Sequence, residues 1–248
     1  MSTMNEEAIR GIFVTGTDTG VGKTVVTAAI AAVLRAEGMN IGVWKPVQSG
    51  ATIGSGETDA ERLLQSTGID ERPEAVAPYS FEAPLTPLLA AKHAGVDLTL
   101  KELIAAGIPL AKRYEALIIE GAGGVAVPLT DDALTADLIS ELRIPALIVA
   151  RSGLGTINHT LLTASFLRHR GVPIIGVIMN DGEIAHPHDD PSVATNAELI
   201  ERCSGLKVLG RVPRLHLEAA PQTRIHNLRN SIQFAPIRQA LAVQAMGG

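Results

Sequence analysis

Apolar residues gather in short continuous runs at positions 11–15, 41–45, 116–119, 146–150, 174–179 and 208–212, each closed by glycine or polar residues. Runs of that length without polar alternation predict strands buried on both faces. Between them lie stretches with helical spacing at 24–37, 98–113, 136–142, 158–170 and 195–204. Three of these stop before Gly38, Gly171 and Gly205, where glycine suits the left-handed turn that ends a helix. A last helix is predicted from about Pro236, because proline fits the first helical turn. Strand–helix–strand units repeated in this way predict an α/β fold, a doubly wound, mostly parallel sheet with helices on both faces. In such sheets ligands lie beyond the carboxyl ends of the strands. No composition break divides residues 1–248, so one domain is expected, with residues 1–10 and about 221–231 irregular. Residues 50–56 and 186–191 read as loops.

The composition narrows the class. Of the 248 residues 46% are apolar but only 3% are aromatic, so the core must be built from alanine, valine, leucine and isoleucine. A net charge of −5, with scattered rather than clustered lysine and arginine, argues against nucleic acid as a partner. The single cysteine, Cys203, excludes an internal disulfide and a cysteine metal cluster. No apolar run approaches the ~18 residues of a membrane span, and residues 1–10 lack a signal-peptide core. A cytoplasmic, membrane-free location is expected. The His186-Pro187-His188-Asp189-Asp190 stretch has neither the spacing nor the regular element of a metal site and reads as a solvated loop.

Candidate chemistry sits at the strand ends. Residues 16–24 read G-T-D-T-G-V-G-K-T, after one apolar run and before a helix. Glycines let backbone N–H groups converge on phosphate, and the helix N-terminus adds partial positive charge. Gly20, Val21, Gly22 and Val25 then frame a nucleoside triphosphate, Lys23 reaches the β- and γ-phosphates, and the Thr24 hydroxyl faces Mg²⁺. Five residues separate Gly16 from Gly22, one more than in the general P-loop pattern. Glu120 closes its apolar run and opens Gly121-Ala122-Gly123-Gly124, where a carboxylate can serve a cation and glycines admit substrate. Asp59 reads either as a helix N-cap or as a second carboxylate. Thr24, Asp59 and Glu120 are hard oxygen donors suited to Mg²⁺. Lys45 ends another strand before Pro46-Val47-Gln48-Ser49-Gly50 and points at the crevice, where its charge can stabilise a transferring phosphoryl group. A second glycine turn, Gly153-Leu154-Gly155-Thr156-Ile157-Asn158-His159, offers a helix N-terminus to an anionic substrate. His159 reads as a polar first-turn residue or a base. Asn180-Asp181 can hydrogen-bond a base or simply form a turn.

Taken in order, G-T-D-T-G-V-G-K-T, K-P-V-Q-S-G at 45–50, E-G-A-G-G at 120–124, G-T-I-N-H at 155–159 and Asn180-Asp181 resemble the dethiobiotin synthetase family over about residues 11–218. The longer phosphate loop is the family's own form. The resemblance implies a homodimer of P-loop NTPase type that uses MgATP, CO₂ and 7,8-diaminononanoate to form dethiobiotin. It implies that Lys23 and Lys45 surround the transferring phosphoryl group, with Lys45 near the carbamate, and that Thr24, Asp59 and Glu120 hold Mg²⁺. Thr19 and Ser49 fall beside the diamine or carbamate. Gly155, Thr156, Ile157 and Asn158 match a substrate-carboxylate site reached across the dimer. Asn180, Asp181, Pro213, Arg214 and Leu215 match the adenine pocket. Two positions depart from the family. Gly20 stands where some members carry glutamate, leaving a backbone contact only. Ala220 aligns with a family glutamate, with Glu218 nearby.

Two other readings fit less well. Amide-forming cobalamin synthetases share this phosphate loop but usually carry a glutaminase domain with a nucleophilic cysteine, for which 248 residues leave no room. Chromosome- or septum-positioning ATPases place an extra lysine early in the loop, where this chain has Thr17, Asp18 and Thr19.

Overall fold

The computed structural model describes residues 8–182, 190–213 and 221–246. Along the described residues the elements run β1 (Gly11–Gly16), α1 (Lys23–Ala36), β2 (Ile41–Trp44), β3 (Val47–Ser49), α2 (Asp59–Thr67), α3 (Pro73–Val76), β4 (Tyr79–Phe81), α4 (Pro87–His93) and α5 (Leu100–Ala111). They continue with β5 (Ala116–Gly124), α6 (Thr135–Leu142), β6 (Ala146–Arg151), α7 (Thr156–His169), β7 (Ile174–Asn180), a 3-10 turn (Pro191–Ala194), α8 (Asn196–Ser204), β8 (Val208–Val212), α9 (Pro221–Ser231) and α10 (Ala235–Met246).

Six strands form one sheet in the order β2-β5-β1-β6-β7-β8, and every pairing is parallel. These are the six strands expected from the apolar runs. Both faces of the sheet are buried, and the period-two geometry of a strand splits its residues between two cores. Phe13, Leu117, Ile119, Ala146 and Ile148 join one cluster with Leu103 and Leu110 of α5, Ile139 of α6, Leu167 of α7 and Ile200 of α8. Ile12, Val14, Ile118, Leu147 and Val149 join the other, with Val26 and Ile30 of α1, Leu63 of α2 and Ile237 and Leu241 of α10. Trp44 is fully buried against α5, where a Cβ at Gly107 would stand 2.7 Å from its ring. Among the described residues no helix is long and apolar enough to cross a membrane.

Besides the short helices α3 and α4, which no expected stretch covered, three features of the sheet and the C-terminal region differ from the sequence reading. β3 and β4, three residues each, form a separate parallel pair that no apolar run marked. β5 does not stop at Ile119 but continues to Gly124. It pairs with β1 in regular register through Val14 and Glu120, shifts, and resumes at Gly16 and Gly124. Residues 221–231, expected to be irregular, form α9 instead. Its sequence is polar, yet Leu228 and the neighbouring Ile232 are buried in the α1–α10 core, and that burial outweighs weak local pattern.

Candidate active site

The carboxyl ends of β1, β2, β5 and β6 converge at one edge of the sheet. Between β1 and α1 the chain turns through Gly20 and Gly22, both at positive φ (73° and 93°), and Gly22 is the residue before α1. A side chain at Gly22 would be strained by its backbone and would also collide with Asn180, whose Nδ2 lies 2.1 Å from the ideal Cβ position. Asn180 donates from that same Nδ2 to the Val21 carbonyl at 3.1 Å, tying the loop to the end of β7. Thr17 N donates to the Val149 carbonyl at 3.0 Å, tying it to β6. Asp18 accepts from Arg151 at 2.9 Å across the same gap.

Lys23 is buried in the loop it closes and donates to the Asp18 carbonyl at 3.0 Å. Burial, with the charge of Lys45 second, pulls its pKa down to about 8. Holding that ammonium charged at neutral pH disfavours the folded state by about 3 kcal/mol. An anion at the loop would relieve this cost.

Beside the loop lies a buried charge cluster. Lys45 is 2% exposed, and its Nζ sits 2.6 Å from Asp59 Oδ2 and 2.7 Å from Glu120 Oε1. It also donates to the Gly121 carbonyl at 3.2 Å. The Thr24 hydroxyl lies 3.2 Å from Asp59 Oδ1 and 2.9 Å from Glu120 Oε1. Burial acts against the charge on Lys45, but the Glu120 and Asp59 carboxylates outweigh it and raise its pKa. Burial likewise raises the carboxyl of Glu120. At Asp59 burial is overcome by the Lys45 ammonium, and the pKa falls. The second oxygen of Glu120, Oε2, is buried without a hydrogen-bond partner among the described residues. A buried carboxylate oxygen left unpaired is costly, and a cation ligated there would remove the cost.

Asp59 is free for this cluster because it is not the helix cap. Thr58 caps α2 and forms a reciprocal box with Glu61: Glu61 N donates to Thr58 Oγ1 at 3.3 Å, and Thr58 N donates to Glu61 Oε2 at 3.1 Å. The Thr58 hydroxyl and nearby backbone amides pull the Glu61 carboxyl down to about 2. The T-x-x-E pattern at 58–61 is the sequence signature of this box.

The remaining residues fall into separate places. Thr19 lies exposed in the phosphate loop near Gly123, and Ala122 is half-buried on β5. Val25 is 40% exposed in the first turn of α1. Ser49 is engaged with the Leu85 carbonyl at 2.7 Å. Asp181 accepts from the Ser152 hydroxyl at 2.7 Å and from Arg211, so its carboxylate binds the ends of β6, β7 and β8 together. Pro213 is exposed beyond β8, whereas Arg214, Leu215, Glu218 and Ala220 lie outside the described residues, as does most of the 186–190 stretch.

The second glycine turn follows β6. Gly155 (φ 89°) precedes α7, which begins at Thr156, two residues before the expected start. Thr156 and Thr160 are fully buried, and neither hydroxyl has a partner among the described residues, nor does His159 Nδ1. The turn is braced from behind. Asn196 Nδ2 donates to the Ser152 carbonyl at 2.8 Å and the Gly153 carbonyl at 3.2 Å, and Leu154 N donates to Asp190 Oδ2 at 2.7 Å. Neither Asn196 nor Asp190 carries a local sequence signal for this work.

A parallel sheet whose first strand feeds a glycine loop ending in Lys-Thr defines a P-loop nucleotide-binding protein. The family model described as an AAA domain matches residues 10–222. The MinC:MinD cell division protein complex of Aquifex aeolicus superposes with a TM-score of 0.53 at 16% identity, covering 96% of each chain, which speaks to fold alone. Among sequence relatives, the ATP-dependent dethiobiotin synthetase BioD of Anaeromyxobacter dehalogenans is 47% identical over 205 residues, covering 83% of this chain and 90% of its own. The protein of the same description from Bacillus cereus (strain B4264) is 41% identical over 229 residues, covering 92% and 93%. The chain belongs to the dethiobiotin synthetase family.

Proposed function

We propose that this chain joins CO₂ to 7,8-diaminononanoate at the expense of ATP, giving dethiobiotin, ADP and phosphate. The observation that carries the reading is the buried cluster of Lys45, Asp59, Glu120 and Thr24 set beside the Lys23 loop. One amine of the diamine takes up CO₂ as a carbamate. A carbamate oxygen then attacks the γ-phosphorus, the bond from that phosphorus to the bridging oxygen breaks, and ADP leaves. The second amine attacks the carbonyl carbon of the mixed anhydride, expels phosphate and loses a proton as the ureido ring closes. The substrate supplies every nucleophile, so the protein's part is positioning and charge.

In this reading Lys23 neutralises the β- and γ-phosphates. Lys45 turns its ammonium from the carboxylates to the carbamate and transferring phosphoryl group. Gly20, Val21, Gly22 and Val25 frame the triphosphate, and Gly121, Ala122 and Gly123 leave space beside it. Thr24, Asp59 and Glu120 hold Mg²⁺, a fit supported by the unpaired Glu120 oxygen and an all-oxygen donor set. When bound, Mg²⁺ supplies charge neutralisation for the phosphates. Thr19 and Ser49 face the diamine, and residues 155–158 receive its carboxylate in a homodimer, each site completed by the partner subunit. Asn180 and Asp181, with Pro213, Arg214 and Leu215, border the adenine.

The test is an omission assay followed by mass spectrometry and phosphate release. Dethiobiotin is expected only when MgATP, bicarbonate and 7,8-diaminononanoate are all present, with one phosphate released per product. ATP hydrolysis indifferent to the diamine, with no ureido product, would overturn the reading.

A further inference from the structure

Gln48 stands three residues past Lys45 on β3 and is 3% exposed. Its Oε1 accepts from the backbone N–H of Ala60 at 3.0 Å, and its Nε2 donates to the Ser80 hydroxyl on β4. Because a backbone N–H can only donate, the amide oxygen must face Ala60, which sets the amide's orientation. Ala60 follows Asp59 at the start of α2. The N–H groups of a first helical turn have no partner within the helix, and the Thr58 cap takes only that of Glu61. Gln48 therefore satisfies a buried donor at the residue next to Asp59.

The other holds on Asp59 are made through its own carboxylate, by Lys45 Nζ and the Thr24 hydroxyl. Those contacts cannot position the carboxylate in a state where it takes another partner. Gln48 grips the backbone instead, and its hold survives such an exchange. Both grips come from one short segment: Lys45 and Gln48 bracket the exit from β2 into β3.

We propose that Gln48 is a positioning residue for the metal site: by holding the Ala60 amide it fixes the start of α2 and keeps the Asp59 carboxylate facing Thr24 and Glu120 when Lys45 releases it. The inference rests on the reading of Asp59 as a Mg²⁺ ligand.

Four proteins test it: the parent chain, Gln48→Met, which keeps length and packing but loses the acceptor, Ser80→Ala, which only frees the amide to rotate, and Asp59→Asn. The readouts are the Mg²⁺ concentration for half-maximal turnover at saturating ATP and diamine, and Mn²⁺ affinity of the ADP complex followed by the electron paramagnetic resonance of free Mn²⁺. Gln48→Met is expected to raise the Mg²⁺ requirement and weaken Mn²⁺ by about tenfold, in the range typical of outer-shell partners, with the KM for diamine unchanged. Ser80→Ala is expected to shift both in the same direction by about two- to threefold. Unchanged Mg²⁺ and Mn²⁺ values in Gln48→Met, with only turnover or melting temperature lowered, would overturn the proposal. Should Gln48→Met not fold, Ser80→Ala decides, and no metal shift there overturns it. An unaltered metal requirement in Asp59→Asn would instead remove the underlying ligand assignment.

Discussion

The turns after β1 and β6 are built alike and equipped differently. Each leaves a parallel strand, passes through a glycine at nearly the same φ (93° at Gly22, 89° at Gly155) and opens a 14-residue helix without a side-chain cap. Around the first turn stand Lys23, Lys45 and two carboxylates, and a Cβ at Gly22 would strike Asn180. Around Gly155 the space is open, with nothing within 4 Å of an ideal Cβ, and the polar groups are the Thr156 and Thr160 hydroxyls, the His159 ring and the Asp190 carboxylate rather than ammonium groups. A helix N-terminus alone attracts an anion weakly. The added lysines suit one turn to a polyphosphate, and their absence suits the other to a singly charged carboxylate. In the proposed function the same backbone device would serve two anions, with the charge placed around it dividing the labour.

That division can be broken at either turn. Gly22→Ala combines a left-handed backbone with a collision at a buried amide, and ATP affinity should fall by at least about 100-fold in a calorimetric titration. Gly155→Ala carries the backbone strain alone, about 1 kcal/mol, so the KM for diamine should rise about fivefold while the KM for ATP stays put. Equal effects of the two substitutions on ATP would erase the contrast. Asn196→Ala removes the brace behind the second turn, and a rise in diamine KM of about threefold is expected, again without change for ATP. The smallest effect is in protons. Lys23, with a pKa of about 8 in the free protein, should be charged when phosphates are bound. Below pH 8 it is already protonated, so little proton moves. Above pH 8 nucleotide binding should draw a proton from solvent and weaken as pH rises, measurable as a buffer-dependent enthalpy. A pH-independent affinity from pH 7 to 9 would contradict it.

The six strands of the main sheet and the cluster of Lys23, Thr24, Lys45, Asp59 and Glu120 were legible in the chain, because fully buried parallel strands leave apolar runs and a phosphate loop leaves glycines. β3 and β4 were not legible. They are three residues each and pair across a separation of about 32 positions, so no local pattern announces them. α9 left no local signal because its burial is supplied by α1 and β8 rather than by its own periodicity. Gln48 and Asn196 look like ordinary polar residues in sequence. Their roles exist only once α2 and the β6–α7 turn are brought against them. Asp59 was legible as a candidate carboxylate for the phosphate loop, but only the Thr58 cap shows why its side chain is free to face Thr24 and Lys45.

The most direct test of the account is Lys45→Met, measured for both turnover and ATP affinity. A lysine that acts on the transferring group is expected to cost about 10²–10³-fold in kcat, with ATP affinity changed by less than about threefold. Turnover close to that of the parent chain, or a loss confined to ATP binding, would contradict the assignment of Lys45 to the reacting group.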